Sequence, residues 1–343
     1  MNQTAIRLPA EWEPQDAVLL AWPHTDSDWE PLLDEVSAVY VEIARQIVRF
    51  EQLIILTLEA DRIRDQLAEA GVDCTKIHFC RAATNDTWIR DFGPITVYRD
   101  GDPELLNFGF NGWGLKFAAD RDNQATLMLA AGDLLRPLPL QTCGLILEGG
   151  SIESDGEGTL LTTTNCLLNG NRNPHLNRDQ LETQLSGLFG SSHWLWLEHG
   201  WLAGDDTDAH IDTLARLCPD DTILYVQCPD KDDEHYAELK AMEKQLGRFR
   251  TRTGAPFRLR PLPWPQACYD GEERLPATYA NFLIINDAVL VPTYADPHDQ
   301  EALTTITTAF PEREVIGIDC RPLIRQHGSL HCVTMQLPQG VLP

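Results

Sequence analysis

The sequence predicts an α/β fold in which strands and helices alternate along the whole chain. Apolar runs of about four to eight residues, typical of buried strands, recur between longer segments whose apolar residues follow helical spacing. Pairs of these strands and the helices alternate about five times. No internal repeat is visible, and no linker rich in Gly, Ser or Pro divides the 343 residues. We therefore expect a single domain over residues 1–343.

The individual elements follow from local patterns. Strands are predicted at residues 17–22, 53–58, 77–80, 95–98, 105–110, 145–147, 159–163, 194–197, 222–227, 257–261, 282–285, 289–292, 315–318 and 330–337. Helices are predicted at residues 33–50, 61–70, 123–135, 178–189, 232–246 and 300–310. The turn signal DGEG at residues 155–158 is expected to link strands 145–147 and 159–163. Residues 261–276, rich in proline and charge, are expected to form a long surface loop.

Composition excludes several classes of partner. The net charge of −25 disfavours nucleic acid, which needs clustered Lys and Arg, and is compatible with a small cationic ligand. No apolar run is long enough to span a membrane, and residues 1–7 lack the apolar core of a signal peptide, so we expect a cytoplasmic protein. Nine scattered cysteines without a CxxC pair argue against a disulfide framework and a structural zinc site.

The segment GDDTDAHIDTL at residues 204–214 places a histidine among acids, in front of an apolar run. If its centre is extended, His210 and Asp212 point to one face and Ile211 to the other, because side chains alternate along a strand. A base and a carboxylate on one surface are the minimum for proton transfer beside a bound cation. The alternative is an Asp-rich loop that caps a helix.

Cys332 is a candidate nucleophile near the end of the sequence. A strand at this position puts Cys332 on the same face as Leu330 and Thr334, and His331 on the other, so His331 is not expected to be its base. A reactive cysteine also needs a base and a lowered thiol pKa, usually supplied from elsewhere in the chain. The alternative is a buried core thiol.

Two further acids stand beside residues suited to binding. Asp91 follows Trp88 at a turn, and a carboxylate next to an indole suits a flat cation, although Asp91 could instead cap the turn with an arginine partner. Glu148 precedes Gly149 and Gly150, where backbone can approach a ligand closely; the alternative is a hairpin turn. A phosphate loop is excluded because no Lys-Ser/Thr follows the glycines.

Two rival chemistries find less support. Metal ligands could be drawn from His210, Asp212, Asp205, Asp206 and Cys332. Because no second histidine stands at ligand spacing, as it does in HExxH, we expect no metal and no other cofactor. A serine hydrolase would need a GxSxG elbow, which the sequence lacks.

Taken in order, the motifs resemble the agmatine deiminase family, within the wider guanidine-modifying superfamily that includes peptidylarginine deiminases. The ordered set is highly specific and covers nearly the whole chain. It comprises residues 9–14 (PAEWEP), 21–23 (AWP), 85–94 (NDTWIRDFGP), 147–151 (LEGGS), 155–159 (DGEGT), 171–176 (NRNPHL), 204–213 (GDDTDAHIDT) and 328–336 (GSLHCVTMQ).

The resemblance implies a fold and a reaction. The fold is an α/β propeller of about five ββαβ-type blades around a pseudo-fivefold axis, the pentein fold, with a central active site. The reaction is hydrolysis of a guanidinium to a ureido group with release of ammonia. By the same resemblance, Cys332 attacks the guanidinium carbon, Asp91 and Asp212 bind its N–H groups, and His210 protonates the departing ammonia and then activates water.

The resemblance assigns roles to further residues less specifically. Trp88, Trp113 and Glu148 are expected to line the pocket. The amine of agmatine needs an acid, and Asp206 is the candidate assigned to substrate binding, with Asp26 and Asp205 left open. The family's GGGNIHC segment is replaced by HGSLHC at residues 327–332, which leaves the substrate less certain than the chemistry.

The resemblance therefore predicts an agmatine deiminase that makes N-carbamoylputrescine in putrescine biosynthesis and polyamine metabolism. The alternatives are a deiminase of peptidyl-arginine or of another small guanidine, and a propeller that binds such groups without catalysis. The expected partner is a small cationic guanidine, with no nucleic acid and no membrane, and a homodimer is one assembly left open.

Overall fold

A computed structural model describes residues 5–343 and shows an α/β fold built from many short strands. Its strands, in chain order, are β1 (Ile6–Arg7), β2 (Gln15–Ala21), β3 (Gln52–Thr57), β4 (Ile77–Arg81), β5 (Ile95–Arg99), β6 (Asp102–Gly109), β7 (Leu140–Ile146), β8 (Ile152–Ser154), β9 (Thr159–Thr163), β10 (His193–Leu197), β11 (Ala215–Cys218), β12 (Thr222–Val226), β13 (Arg258–Leu262), β14 (Cys268–Asp270), β15 (Glu273–Leu275), β16 (Leu283–Ile285), β17 (Ala288–Thr293), β18 (Glu314–Asp319) and β19 (Thr334–Pro338). Its α-helices are α1 (Leu33–Phe50), α2 (Ala60–Glu69), α3 (Ile89–Phe92), α4 (Gly112–Leu115), α5 (Ala125–Ala131), α6 (Thr164–Leu167), α7 (Arg178–Phe189), α8 (Tyr236–Leu246), α9 (Asp299–Ala309) and α10 (Arg321–Ile324).

Five modules of ββαβ type organise these elements. In each, two antiparallel strands are followed by a helix that crosses over to a third strand, parallel to the second. Four modules are continuous in the chain: β5-β6-α5-β7, β8-β9-α7-β10, β11-β12-α8-β13 and β16-β17-α9-β18. The predicted propeller of five ββαβ blades is confirmed.

The fifth module is assembled from distant parts of the chain. Its parallel strands β2 and β3 are joined by α1, and β4 extends the sheet. Its antiparallel strand is β19, with Thr334 opposite Leu20. Pairing of β19 with β2 joins the two ends of the succession of modules, and it brings the segment just before β19 to the β2 edge.

Local sequence explains where the two best-predicted helices begin and end. In α1, Val36, Tyr40, Ile43 and Ile47 are fully buried on one face, as their helical spacing predicts. In α7, a reciprocal capping box at residues 177–180 satisfies the first turn, and a left-handed glycine follows the last residue. Both helices span the predicted residues.

The apolar side chains form one extensive core cluster and a smaller second one. The second cluster surrounds Leu106, Leu160 and Phe189, and therefore lies between two neighbouring sheets and α7. Among the described residues, no helix combines the length and apolar character that crossing a membrane requires.

Two predicted connections and one predicted strand boundary were wrong. The turn at residues 155–158 joins β8 to β9, whereas β7 belongs to the preceding module; the three-residue β8 was too short to be recognised. Residues 261–276 are not a plain loop, because they contain the β14–β15 hairpin. The strand predicted at residues 330–337 begins only at Thr334, since the amide of Thr334 donates to the carbonyl of His331 (3.1 Å) and closes a turn.

Candidate active site

The acidic loop before His210 is folded on itself and is not extended as predicted. The Asp205 carboxylate accepts hydrogen bonds from the amides of Thr207 (3.1 Å) and Ala209 (2.7 Å), and Thr207 Oγ1 accepts one from the His210 amide (3.1 Å). A 3-10 turn at Ile211–Thr213 follows. The short side chains of this loop bond to nearby backbone in preference to a strand partner, which is the turn chemistry of aspartate and threonine.

Despite this difference, the loop delivers both predicted side chains to one point. Gly150 lies where the side chains of Asp91, His210 and Asp212 converge. A methyl group placed on Gly150 would lie 2.7 Å from His210 Nδ1, 2.9 Å from Asp91 Oδ1 and 3.0 Å from Asp212 Oδ2. Two distant segments of the sequence thus contribute three side chains, which pack around a residue that has room for no side chain.

We expect Gly150→Ala to reduce kcat/KM by about 10²-fold, because a misplacement of about 1 Å costs that much in a positioned site. The added methyl group must displace at least one of the three side chains. Gly144→Ala is the matched control, since nothing lies within 4 Å of a methyl group there. Steady-state kinetics and thermal unfolding of both variants check this, and wild-type kinetics for Gly150→Ala would contradict the geometry.

Asp91 is held rigidly on the short helix α3. The Trp113 indole N–H donates to Asp91 Oδ2 (2.8 Å), and the Gly150 amide donates to Oδ1 (2.9 Å). His210 Nδ1 lies 3.6 Å from the same Oδ1. Burial raises the pKa of Asp91, with the charge of Asp212 adding to the rise and His210 opposing it. The carboxylate is oriented from two sides, with its charge compensated mainly by one imidazole.

Trp113 owes its position to an uncommon backbone. Its φ is 53°, and Gly112 and Gly114 on either side have φ of 65° and 87°. Non-glycine residues seldom occupy this left-handed region, and a tryptophan held there indicates that the surrounding contacts over-determine it. The indole hydrogen bond to Asp91 is one such contact, and it could not be read from the sequence.

Cys332 lies in the turn before β19 and is fixed by Asn281. The amide of Cys332 lies 3.3 Å and its Sγ 3.4 Å from Asn281 Oδ1. The Cys332 carbonyl accepts a hydrogen bond from the amide of Arg90 (3.2 Å), which ties the nucleophile segment to the helix that carries Asp91. Burial, followed by the charges of Asp212 and Asp91, raises the pKa of the Cys332 thiol well above its usual value.

Asn281 was missed, although the sequence held a signal for it. It is a polar residue inside the apolar segment ATYANFLII at residues 277–285, and it is fully buried. A buried amide needs hydrogen-bond partners, which suggests a specific contact. Its partner could not have been named, because Cys332 is distant in sequence.

His210 is buried among groups that favour its charged form. Burial lowers its pKa, but Asp91, Cys166 and Glu148 together raise the pKa of His210 well above its usual value. Its Nε2 and the Oε2 of Glu148 have no hydrogen-bond partner among residues 5–343. Glu148 is itself held by Arg172, whose Nε lies 2.7 Å from Oε1. Glu148 therefore lies close to His210 and supports its positive charge.

A cavity of about 140 Å³ contains Cys332 in its wall. Its walls are aromatic and acidic: the lining side chains include Trp88, Trp113, Phe117, Asp28, Asp86, Asp91, Asp205 and Asp206. From the predicted site, the cavity lining includes Trp88, Trp113, Asp91, Asp206 and Cys332, and it does not include His210, Asp212 or Glu148. Asp26, the remaining tail candidate, lines a different cavity beside Trp22.

Two groups of side chains bring three potential metal ligands within 4.8 Å of one another: Glu148, Cys166 and His210, and Glu11, Glu153 and His331. In both groups the carboxylates already contact arginine, because Arg172 binds Glu148 and Arg216 binds Glu11 and Glu153. The positive charge that such acids require is therefore supplied by the chain itself. We assign neither group to a metal.

Comparison with known proteins agrees with this geometry. Residues 7–338 match the model of the Porphyromonas-type peptidyl-arginine deiminase family. A protein named agmatine deiminase from Pseudomonas aeruginosa is 33% identical over 97% of this chain and 95% of its own length. This chain belongs to the Porphyromonas-type peptidyl-arginine deiminase family, as its motifs predicted.

Solved structures are similar over their whole length. A Porphyromonas gingivalis protein, provisionally named an arginine deiminase, superposes with a TM-score of 0.93 at 50% identity, covering 98% of this chain and 100% of its own. A cysteine-to-serine variant of C. jejuni agmatine deiminase, solved with substrate bound, superposes with a TM-score of 0.92 at 40% identity, covering 99% and 98%.

Proposed function

We propose that this protein is a guanidine deiminase that hydrolyses agmatine to N-carbamoylputrescine and ammonia. The observation that carries the proposal is a single acidic, aromatic-walled cavity that contains both the thiol of Cys332 and the rigidly held carboxylate of Asp91. Similarity to proteins named agmatine deiminase over nearly the whole chain supports it.

Substrate binding is the first step of the proposed mechanism. A guanidinium is planar, and its N–H groups match carboxylate oxygens. Asp212 offers an oxygen for it, since Oδ1 is buried and has no hydrogen-bond partner among residues 5–343. Asp91 binds a second edge of the cation, and the indoles of Trp88 and Trp113 line the cavity that the substrate enters.

Binding of the cation prepares the nucleophile. The carboxylates of Asp91 and Asp212 contribute to the raised pKa of Cys332, and a guanidinium between them offsets their charge. Bound substrate therefore favours the thiolate that must attack. Attack forms the S–C bond, and cleavage of a C–N bond releases ammonia, which His210 protonates as it leaves.

Hydrolysis completes the reaction. The S–C bond of the amidino-cysteine intermediate must be replaced by a C–O bond from water. His210, now neutral, accepts a proton from that water, and the Cys332 thiolate leaves as the ureido product forms. His210 thus serves as acid in the first half of the reaction and as base in the second.

The acids of the cavity favour a substrate with a second cation. Asp28, Asp86, Asp205 and Asp206 line the same cavity as the reacting groups. Burial raises the pKa of Asp86 to about 6, so a nearby amine would stabilise its ionised form. Free arginine would instead bring its α-carboxylate into this negative field. The second positive charge of agmatine matches these acids.

Comparison of agmatine with an arginyl peptide and free arginine tests the proposal. We expect kcat/KM for agmatine to exceed that for either by about 10²-fold or more, since an uncompensated carboxylate or a lost ion pair costs about 3 kcal/mol. Release of ureido product and ammonia is measured with purified protein. Turnover of the peptide without turnover of agmatine would instead support the peptidyl-arginine alternative, and no turnover of any guanidine would support the non-catalytic one.

Hydrolysis of agmatine would place the protein in putrescine biosynthesis and polyamine metabolism. The cytoplasmic location stays a prediction from the sequence, and a homodimer stays one assembly that the sequence leaves open.

A further inference from the structure

His331 makes contacts that the reaction described so far does not use. Its ring lies between two carboxylates: Nδ1 is 2.7 Å from Asp212 Oδ2, and Nε2 is 2.7 Å from Glu11 Oε2. The residue is 1% exposed. Glu11 comes from the PAEWEP segment near the start of the sequence, and His331 directly precedes Cys332. A buried imidazole therefore connects the carboxylate proposed to bind the guanidinium with an acid behind it.

The two carboxylate contacts favour an imidazolium form of His331, in which both ring nitrogens donate. A neutral imidazole has one N–H and one lone pair, and the lone pair would face a carboxylate oxygen at 2.7 Å. An imidazolium donates to both oxygens, and such short contacts are typical of charge-assisted hydrogen bonds.

The nearby carboxylates favour the same protonation state, and the guanidinium of Arg216 beside Nε2 opposes it. Arg216 Nη2 lies 3.0 Å from Glu11 Oε2 and 3.2 Å from His331 Nε2, and Arg216 also pairs with Glu153. Arg90 Nη2 lies 3.9 Å from the same Glu11 oxygen. Three buried carboxylates, those of Glu11, Glu153 and Asp212, thus surround two arginines and one imidazole. An imidazolium offsets the third carboxylate of this group.

Contact with His331 determines the state of Asp212. Burial raises the pKa of Asp212, but the hydrogen bond and charge of His331, helped by His210 and Arg216, lower it overall. Oδ2 is engaged by His331, which leaves Oδ1 without a partner among the described residues. Burial raises the pKa of Asp91, whose imidazole neighbour His210 lies at 3.6 Å, outside hydrogen-bond contact. The two carboxylates are therefore held by different means.

We propose that His331, backed by Glu11, is a positioning residue that keeps Asp212 ionised and turned so that Oδ1 faces the guanidinium. The proposal rests on the proposed function, since it assigns a means of support to the substrate-binding carboxylate. It does not make His331 a catalytic base for Cys332. The backbone of the nucleophile segment is held separately, because the amides of His331 and Cys332 both donate to Asn281 Oδ1. Removing the imidazole therefore leaves these backbone contacts in place.

Replacing the imidazole should weaken substrate binding in a manner that depends on pH. In His331→Gln, Asp212 loses its cationic partner while its burial remains, so its pKa rises. We expect KM for agmatine to increase about 10- to 100-fold at pH 7, the effect of losing one hydrogen bond to a charged group. Because the protonated carboxyl is restored to carboxylate as pH rises, the defect should shrink at higher pH, and the acid limb of kcat/KM should move upward. Glu11→Gln should act in the same direction with a smaller effect.

Two controls make the kinetic result specific. His78→Gln replaces a half-buried histidine that contacts Gln52 on the sheet and is absent from the cavity lining, and it should leave KM and the pH profile unchanged. Thermal unfolding of each variant reports whether it folds. A purely structural role would give a defect of equal size at all pH values, and that result would overturn the proposal, as would an unchanged KM.

A measurement without turnover tests the protonation state directly. In wild-type protein labelled with ¹⁵N-histidine, the His331 nitrogens should both show imidazolium shifts at pH 7, with the resonances assigned by their loss in His331→Gln or, if that variant does not fold, by their displacement in Glu11→Gln. A neutral ring would overturn the proposal. If agmatine is not turned over, the proposed function fails, while this spectrum still decides the state of His331.

Discussion

Cys332→Ala is expected to reduce kcat for agmatine on the order of 10⁵-fold, because removing a covalent nucleophile from a site that works as a unit costs about this much. Asp91 and Asp212 remain in place in the variant, so substrate binding should change by less than about tenfold. Ammonia release measures the first quantity, and calorimetric titration with agmatine measures the second. The combination of lost turnover with retained binding separates the loss of a nucleophile from the loss of the site.

Cys80→Ala is the matched control. Cys80 is likewise a buried cysteine, but it lies on β4 and is absent from the cavity lining. Its replacement should leave kcat unchanged at a modest cost in thermal stability. Unchanged ammonia release by Cys332→Ala would eliminate covalent catalysis through this sulfur. Loss of activity in both variants, accompanied by unfolding, would show that the assay reports stability.

His210→Gln is expected to lower kcat about 10²- to 10⁴-fold, the usual contribution of one positioned acid–base group. The effect on KM should be smaller, because Asp91 and Asp212 bind the cation. The pKa of His210 is raised, so the imidazolium that protonates ammonia is present at neutral pH and is lost as pH rises through that raised value. The wild-type kcat should therefore show an alkaline limb due to this group, and the variant should lack it.

Steady-state rates over a range of pH test both expectations. His193→Gln provides the control, since His193 is half-buried on β10 and does not line the cavity. A His210→Gln variant with wild-type kcat would remove His210 from the mechanism. A variant with reduced kcat and an unaltered alkaline limb would assign that limb to another group.

Elements governed by local spacing could be predicted from the sequence with their boundaries. Helices α1 and α7 are examples, because apolar periodicity and capping residues lie within the helices themselves. The conformation of the acidic loop was harder to predict from the sequence. Asp205 and Thr207 bond to backbone two to four residues away, and this local competition outweighed the alternation that suggested a strand at residues 210–212.

The residues of the candidate site likewise divide into those that the sequence could identify and those that it could not. Cys332, His210, Asp91 and Asp212 were named from motifs, and the structure places the last three around Gly150. The groups that hold them could not be named. Glu11, Asn281 and Arg216 act through contacts between residues far apart in sequence, and a single sequence carries no pairing information for such contacts.

The pairing of β19 with β2 affects when the protein becomes active during its synthesis and folding. The strand that closes the ring follows Cys332 by two residues, and its partner lies near the start of the sequence. Contacts of such long range are slow to form, since a large loop must be closed first. A partially synthesised chain could contain several complete modules and still lack both the pairing of β19 with β2 and the sulfur of Cys332. Hydrolytic competence should therefore appear late and all at once during maturation, so that incomplete chains consume no substrate.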